Sequence, residues 1–150
     1  MKRILFFFLA VLVFSSCNKS EKTDYLIFGK FYGFCVGDDC IKMYKVTSKN
    51  LYKETSPEYP SNEEYNGKFN TKINDKLSVA KPLLNMIPEK LKEEEAFIGC
   101  PDCADQGGIY VEYKADGETY FFRIDNFRDN VPEYLHDFLD EIDSVVEDLK

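Results

Sequence analysis

The sequence predicts a single α+β domain in which an antiparallel sheet with at least two hairpins packs against a long C-terminal amphipathic helix and short middle helices. Three observations carry this. An aromatic-rich stretch at 109–125 alternates about Asp116-Gly117, residues 135–149 repeat apolar side chains at helical spacing, and Pro82 and Pro88 cut a helical pattern at 77–91 into short pieces. With 44% hydrophobic and 31% charged residues, the chain of 150 has the apolar content for one packed core and not the length for two.

The first element is an address. Residues 1–17 read MKRILFFFLAVLVFSSC, with Lys2 and Arg3 ahead of an unbroken apolar run at 4–14. A bilayer core takes about 20 helical residues, so this run is too short to span and reads as the core of a signal peptide. Phe14-Ser15-Ser16-Cys17 resembles a bacterial lipobox, although Phe14 stands where such boxes more often carry Leu. The resemblance implies cleavage before Cys17 and lipidation of Cys17, which divides the chain into a signal peptide (1–16), a lipidated cysteine with a polar tether (17–23) and the domain (24–150). Cleavage removes Lys2 and Arg3 and leaves 134 residues with 17 basic and 27 acidic side chains, a net charge of −10. Acyl chains worth about 0.8 kcal/mol per buried methylene then supply a membrane anchor without a spanning helix. Asn18 replaces the Asp that retains some lipoproteins at the inner membrane, which points to the outer membrane of a bacterial cell envelope.

The next element, 25–34, is expected to be a central strand because apolar side chains fall on both of its faces: Leu26, Phe28, Tyr32 and Phe34 on one, Tyr25, Ile27 and Phe31 on the other. Gly29 and Gly33 share the second face, where close approach of a helix is expected. A second strand follows at 41–47. Residues 54–70 carry Pro57, Pro60 and Gly67 among Ser and Asn and read as a long surface loop. Between 77 and 91, Leu77, Ala80, Leu84, Ile87 and Leu91 follow a helical period broken by the two prolines. One short helix should end near Met86 and another start near Pro88.

The stretch 109–125 fixes its own register. With Asp116-Gly117 as the preferred pair for a type I′ turn, Ala115 faces Glu118, Tyr113 faces Tyr120, Val111 faces Phe122 and Ile109 faces Ile124 on an apolar side. The other side sets Tyr110 opposite Arg123, Glu112 opposite Phe121 and Lys114 opposite Thr119, as in a sheet with one wet face. The final helix is expected to be capped by Asn130, with Pro132 near its first turn. Leu135, Phe138, Leu139, Ile142, Val145, Val146 and Leu149 form its buried stripe.

Four cysteines remain beyond the signal: Cys35, Cys40, Cys100 and Cys103. In an exported chain an even number of thiols reads as disulfides. If Gly37-Asp38 forms a two-residue turn, Cys35 faces Cys40 with Cα atoms about 4.5 Å apart, so that bridge is expected first and Cys100–Cys103 by elimination. Two alternatives exist. The Cys100-Pro101-Asp102-Cys103 spacing is that of thioredoxin-like dithiols, but a strand follows it and no helix dipole is evident to activate a thiol. All four cysteines could instead clamp zinc, as two ligand pairs on two tight turns.

The search for chemistry finds little else. Asp38, Asp39, Asp102 and Asp105 would offer oxygen ligands if the two cysteine turns lay together, yet neither turn has the alternating acidic pattern of a calcium loop. Short Asp side chains and Gly also serve tight turns directly. The single histidine, His136, falls on the acidic side of the last helix with no nucleophile in a recognisable arrangement, and reads as exposed. No glycine loop precedes a helix to cradle phosphate, since Gly107-Gly108 leads into a strand. The net charge of −8 for the whole chain repels a phosphate backbone, so nucleic acid is not an expected partner.

The segment Gly99-Cys100-Pro101-Asp102-Cys103-Ala104-Asp105-Gln106-Gly107-Gly108, with the lipobox and the Cys35 to Cys40 turn, resembles a group of small, uncharacterised bacterial lipoproteins. That resemblance implies a compartment and a fold, and no activity. The expected function is a lipid-anchored, non-catalytic interaction module presenting aromatic side chains (Tyr52, Tyr59, Tyr65, Tyr110 and Phe121) to a protein or glycan of the envelope. A small acidic domain of this kind would suit a cationic, lysozyme-like hydrolase as its target. The alternative is a zinc or thiol-redox protein built on the four cysteines.

Overall fold

Apolar side chains on both faces place β1 (Thr23–Phe31) at the centre of a seven-stranded sheet in the computed structural model, which describes residues 23–37 and 39–150. On one side β1 pairs antiparallel with β2 (Ile41–Thr47), then come β3 (Leu51–Lys53) and the two-residue β4 (Thr71–Lys72). On the other side β1 pairs with β6 (Gly108–Ala115), followed by β7 (Glu118–Asp125) and the short β5 (Phe97–Ile98), which runs parallel to β7. The 109–125 register is the one its sequence dictates, from Ala115 opposite Glu118 to Ile109 opposite Ile124. Asp116 and Gly117 take φ of 50° and 91°, the left-handed pair that matches the twist of the flanking strands.

The first face of the sheet carries the larger core. Leu26, Phe28, Tyr44, Val46, Leu51, Val111 and Ile124 bury against α2 (His136–Asp148) and the short helical turns of the middle of the chain. Every member of the predicted stripe from Leu135 to Leu149 is buried, which at about 1.5–3 kcal/mol per large apolar side chain makes this the main stabilising layer. The middle turns are α1 (Leu77–Ala80) running into a 3-10 stretch at Lys81–Asn85, then a second 3-10 turn at Glu89–Glu93. Their ends fall where Pro82 and Pro88 put them.

The C-terminal helix begins differently from expectation. Asn130 does not cap it: the Asn130 amide instead donates to Asp125, and a 3-10 turn at Glu133–Leu135 leads into α2. His136 is half-buried rather than exposed, with Nε2 donating to the carbonyl of Val131 at 3.1 Å.

The second face is not wet, and among the described residues no helix covers it. Residues 54–70 fold back across it, so that Tyr65 and Phe69 pack on Ile27, Phe31, Met43 and Tyr110. Glu112, expected to face solvent, is 2% exposed. It accepts from the phenols of Tyr25 (3.0 Å) and Tyr110 (2.9 Å) and from the backbone N–H of Tyr65 (2.7 Å), which pins the loop to the middle of the sheet. Gly29 is needed on this face because a Cβ there would sit 1.9 Å from the carbonyl oxygen of Lys42 on the neighbouring strand.

Candidate functional site

Both cysteine turns lie at the end of the sheet where β1 leaves it. β1 stops at Phe31 opposite Ile41, three residues before the predicted end, and Tyr32 N–H still reaches the carbonyl of Cys40 at 2.9 Å. In that register Tyr32, not Cys35, stands opposite Cys40, so the Cys35–Cys40 disulfide, with Cα atoms 5.5 Å apart, is not the cross-strand pair that the expected tight turn requires. Asp38 lies outside the described residues. Asp39 is exposed and paired with Lys42 at 2.7 Å, which holds its carboxyl below the usual range.

Freed from the ladder, the side chains on either side of Cys35 have nothing to pack on. Phe34 is 85% exposed and Val36 fully exposed, the two most exposed large apolar residues among those described. The disulfide-bonded Cys35 is thus flanked by an apolar tip held out in water.

The second turn is also bridged, Cys100 to Cys103, again with Cα atoms 5.5 Å apart. Within it Asp102 and Asp105 adopt φ of 62° and 58°, a conformation Asp tolerates better than most residues. Asp102 spends its carboxylate on three donors: the Gly107 N–H at 3.0 Å within the turn, and the Gly33 N–H at 2.7 Å and Tyr59 hydroxyl at 2.9 Å outside it. The two cysteine turns are thus stitched together by Asp102, with Asp39 held apart on Lys42. Asp105 is exposed at the turn's surface. Among the described residues no three His, Cys, Asp or Glu side chains gather in a way that would hold a metal ion. All four sulfurs are consumed in the two bridges, so a zinc clamp or a dithiol would first require their reduction.

The base of the turn rests on a buried carboxylate that the sequence did not advertise. Asp125, 0% exposed, accepts from Cys100 N–H (3.0 Å), Phe127 N–H (2.9 Å), Asn130 Nδ2 (2.7 Å) and Gln106 Nε2 (3.2 Å). Burial pushes its carboxyl up, but the four donors together outweigh that and hold it below the ordinary Asp value.

Next to this turn the second face ends in an aromatic enclosure. Arg123 on β7 has its guanidinium 5.3 Å from the Phe31 ring centre, 5.1 Å from Tyr59 and 5.0 Å from Phe97. Phe97 is its parallel neighbour on β5, and Phe31 reaches it by crossing Gly108, where a Cβ would come within 2.4 Å of the Phe31 ring. Arg123 donates to the Tyr59 hydroxyl (3.0 Å) and to the Asn62 amide oxygen (3.3 Å). Tyr59 therefore stands between Arg123 and Asp102. Its phenol is pushed up, first by burial and then by Asp102 as acceptor, against the pull of Arg123.

Of the aromatic side chains expected at the surface, Tyr110 is buried, Tyr52, Tyr65 and Phe121 are half-buried and only Tyr59 is exposed. The exposed apolar set is instead Phe34, Val36, Phe97 and Phe127 together with Tyr59. Loss of alternation in 31–36 could have flagged Phe34 and Val36; nothing local marks Arg123 as enclosed.

Residues 1–18 match the family model of the prokaryotic membrane lipoprotein lipid attachment site. The chain thus carries the signal of a lipid-anchored envelope lipoprotein. No curated protein matches the chain. No helix among the described residues is long and apolar enough to cross a membrane.

Proposed function

We propose that the protein is a non-catalytic binding module, tethered through lipidated Cys17 to the outer membrane, whose exposed tip of Phe34 and Val36, on either side of disulfide-bonded Cys35, engages a cationic protein of the envelope. The observation that supports it is the position of that tip. At about 3.3 Å per residue, β1 separates Thr23 from Phe31 by about 26 Å, so the tip lies at the end of the strand opposite the tether. Two highly exposed apolar side chains on either side of a disulfide-bonded cysteine, Val36 inside the cross-linked loop and Phe34 just ahead of it, form an anchor that loses little entropy when it is covered. A mature net charge of −10 steers cationic partners toward it, and a lysozyme-like hydrolase is one such partner.

Site-specific photo-crosslinking in cells tests this. A photoreactive residue at position 34 should give one defined protein adduct, lost in Val36→Asp and weakened by salt in isolated envelopes, while the same probe at Lys114, near the tether end, gives none. Adducts to lipid alone, or equal adducts from both positions, would remove the basis for the proposal.

A further inference from the structure

Arg123 is a cation that the fold encloses without neutralising. Lys30, Lys42, Arg128 and Lys150 each sit on a carboxylate: Asp143, Asp39, Asp140 with Asp143, and Glu147 respectively. Among the described residues no carboxylate lies within ion-pair distance of Arg123, and Asp102 is reached only through the Tyr59 hydroxyl. Its Nε–H is buried without an acceptor, and of its four terminal N–H groups only two are engaged, by Tyr59 and Asn62. The rings around it strip water from the guanidinium and fix its plane, so little ordering is left for a ligand to impose.

We propose that Arg123, Tyr59, Asn62 and Phe97 form a binding subsite for a carboxylated sugar of the uronic-acid class. The guanidinium supplies a planar, permanent charge with terminal N–H groups left for a carboxylate, a pairing roughly twice as strong as a neutral hydrogen bond. Tyr59 and Phe97, 40% and 43% exposed, keep ring surface in solvent beside that charge. A ring face carries negative potential that attracts the polarised C–H groups of a pyranose. Asn62 is exposed, and its amide has both donors and acceptors for ring hydroxyls. An acidic peptide is the less favoured ligand, because the neighbouring sheet edge, β5, is two residues long and offers almost no ladder to an extended backbone. This subsite stands whether or not the Phe34 tip takes a protein partner.

The test is calorimetric titration of the lipidated protein, in a neutral detergent, with trigalacturonate, its fully methyl-esterified form and triglutamate. Trigalacturonate should bind, and the ester, which keeps the rings and masks the carboxylates, should bind at least tenfold more weakly. Arg123→Lys, which keeps the charge and loses the planar fork, should also lose at least tenfold. Phe97→Ala removes an exposed ring and should lose severalfold with an unchanged thermal unfolding midpoint; it decides the matter if Arg123→Lys fails to fold. Absence of trigalacturonate binding, equal binding of the ester, equal binding by the Arg123→Lys or Phe97→Ala protein, or preference for triglutamate each overturns the assignment.

Discussion

Asp102 accepts the backbone N–H of Gly33 at 2.7 Å across 69 residues of sequence, and this bond ties the turn closed by Cys100–Cys103 to the segment that leads from β1 into the loop closed by Cys35–Cys40. The same oxygen takes the Tyr59 hydroxyl, so three separate segments meet on one atom. The end of the sheet that carries the exposed tip is ordered by a carboxylate.

Asp102→Ala should therefore destabilise the domain by about 2–3 kcal/mol, since it strands three donors and places Ala at φ of 62°. Asp102→Asn keeps the tolerated conformation and an acceptor oxygen, and should lose about half as much. Urea unfolding of the two variants measures this. If Asn and Ala proved equally mild, the carboxylate would not be the tie between the turns.

How much of this was legible beforehand differs by element, for physical reasons. The register of β6 and β7 was readable because Asp116-Gly117 admits one turn geometry and a one-residue slip would put Val111, Phe122 and Ile124 on the wrong face. The stripe of α2 was readable because its period is local. The covering of the second face was not. Tyr110, Glu112 and Lys114 look like the solvated side of a strand, and what buries the first two is a loop at 54–70 whose path depends on a distant carboxylate accepting two phenols and one amide. The expected strand 25–34 runs past the observed one for a related reason: Phe34 has the composition of a strand, but the ladder ends at Phe31 and leaves Phe34 in water. At the candidate site, the cysteine pairing and the turn-forming role of Asp102 followed from sequence, whereas the meeting of Arg123 with three rings from three segments did not.

Asp125 makes part of the stability acid-labile. Its folded carboxyl is depressed, so its contribution is complete above the unfolded Asp value of about 3.9 and is lost as pH falls through the lower, folded value. Asp125→Asn turns an amide N–H toward donors that need an acceptor and should destabilise by about 2–4 kcal/mol at neutral pH. That gap should narrow steadily below about pH 4. Thermal or urea unfolding of both proteins from pH 7 to pH 2 measures it. A gap constant across the whole range would mean that the charge on Asp125 is not what the four donors hold.

The cluster around Glu112 makes the opposite end of the pH scale informative. Burial first, then the adjacent Glu112 charge, push the Tyr25 phenol up to about 12 and the Tyr110 phenol higher still; burial alone is the leading cause for Tyr65, also raised to about 12. A phenol whose folded value is raised stabilises fully below its unfolded value of about 10, and that contribution disappears as pH rises toward the folded value. The domain should therefore lose stability between about pH 10 and 12, with buried phenols ionising together as residues 54–70 leave the sheet. Glu112→Gln removes the charge that Tyr25 and Tyr110 would have to face on ionising, and keeps one acceptor oxygen for three donors. Its phenolate absorbance should rise at a lower pH than in the parent. A parent and Glu112→Gln pair with superimposable titrations would show that desolvation alone governs these phenols and that Glu112 is a passive acceptor.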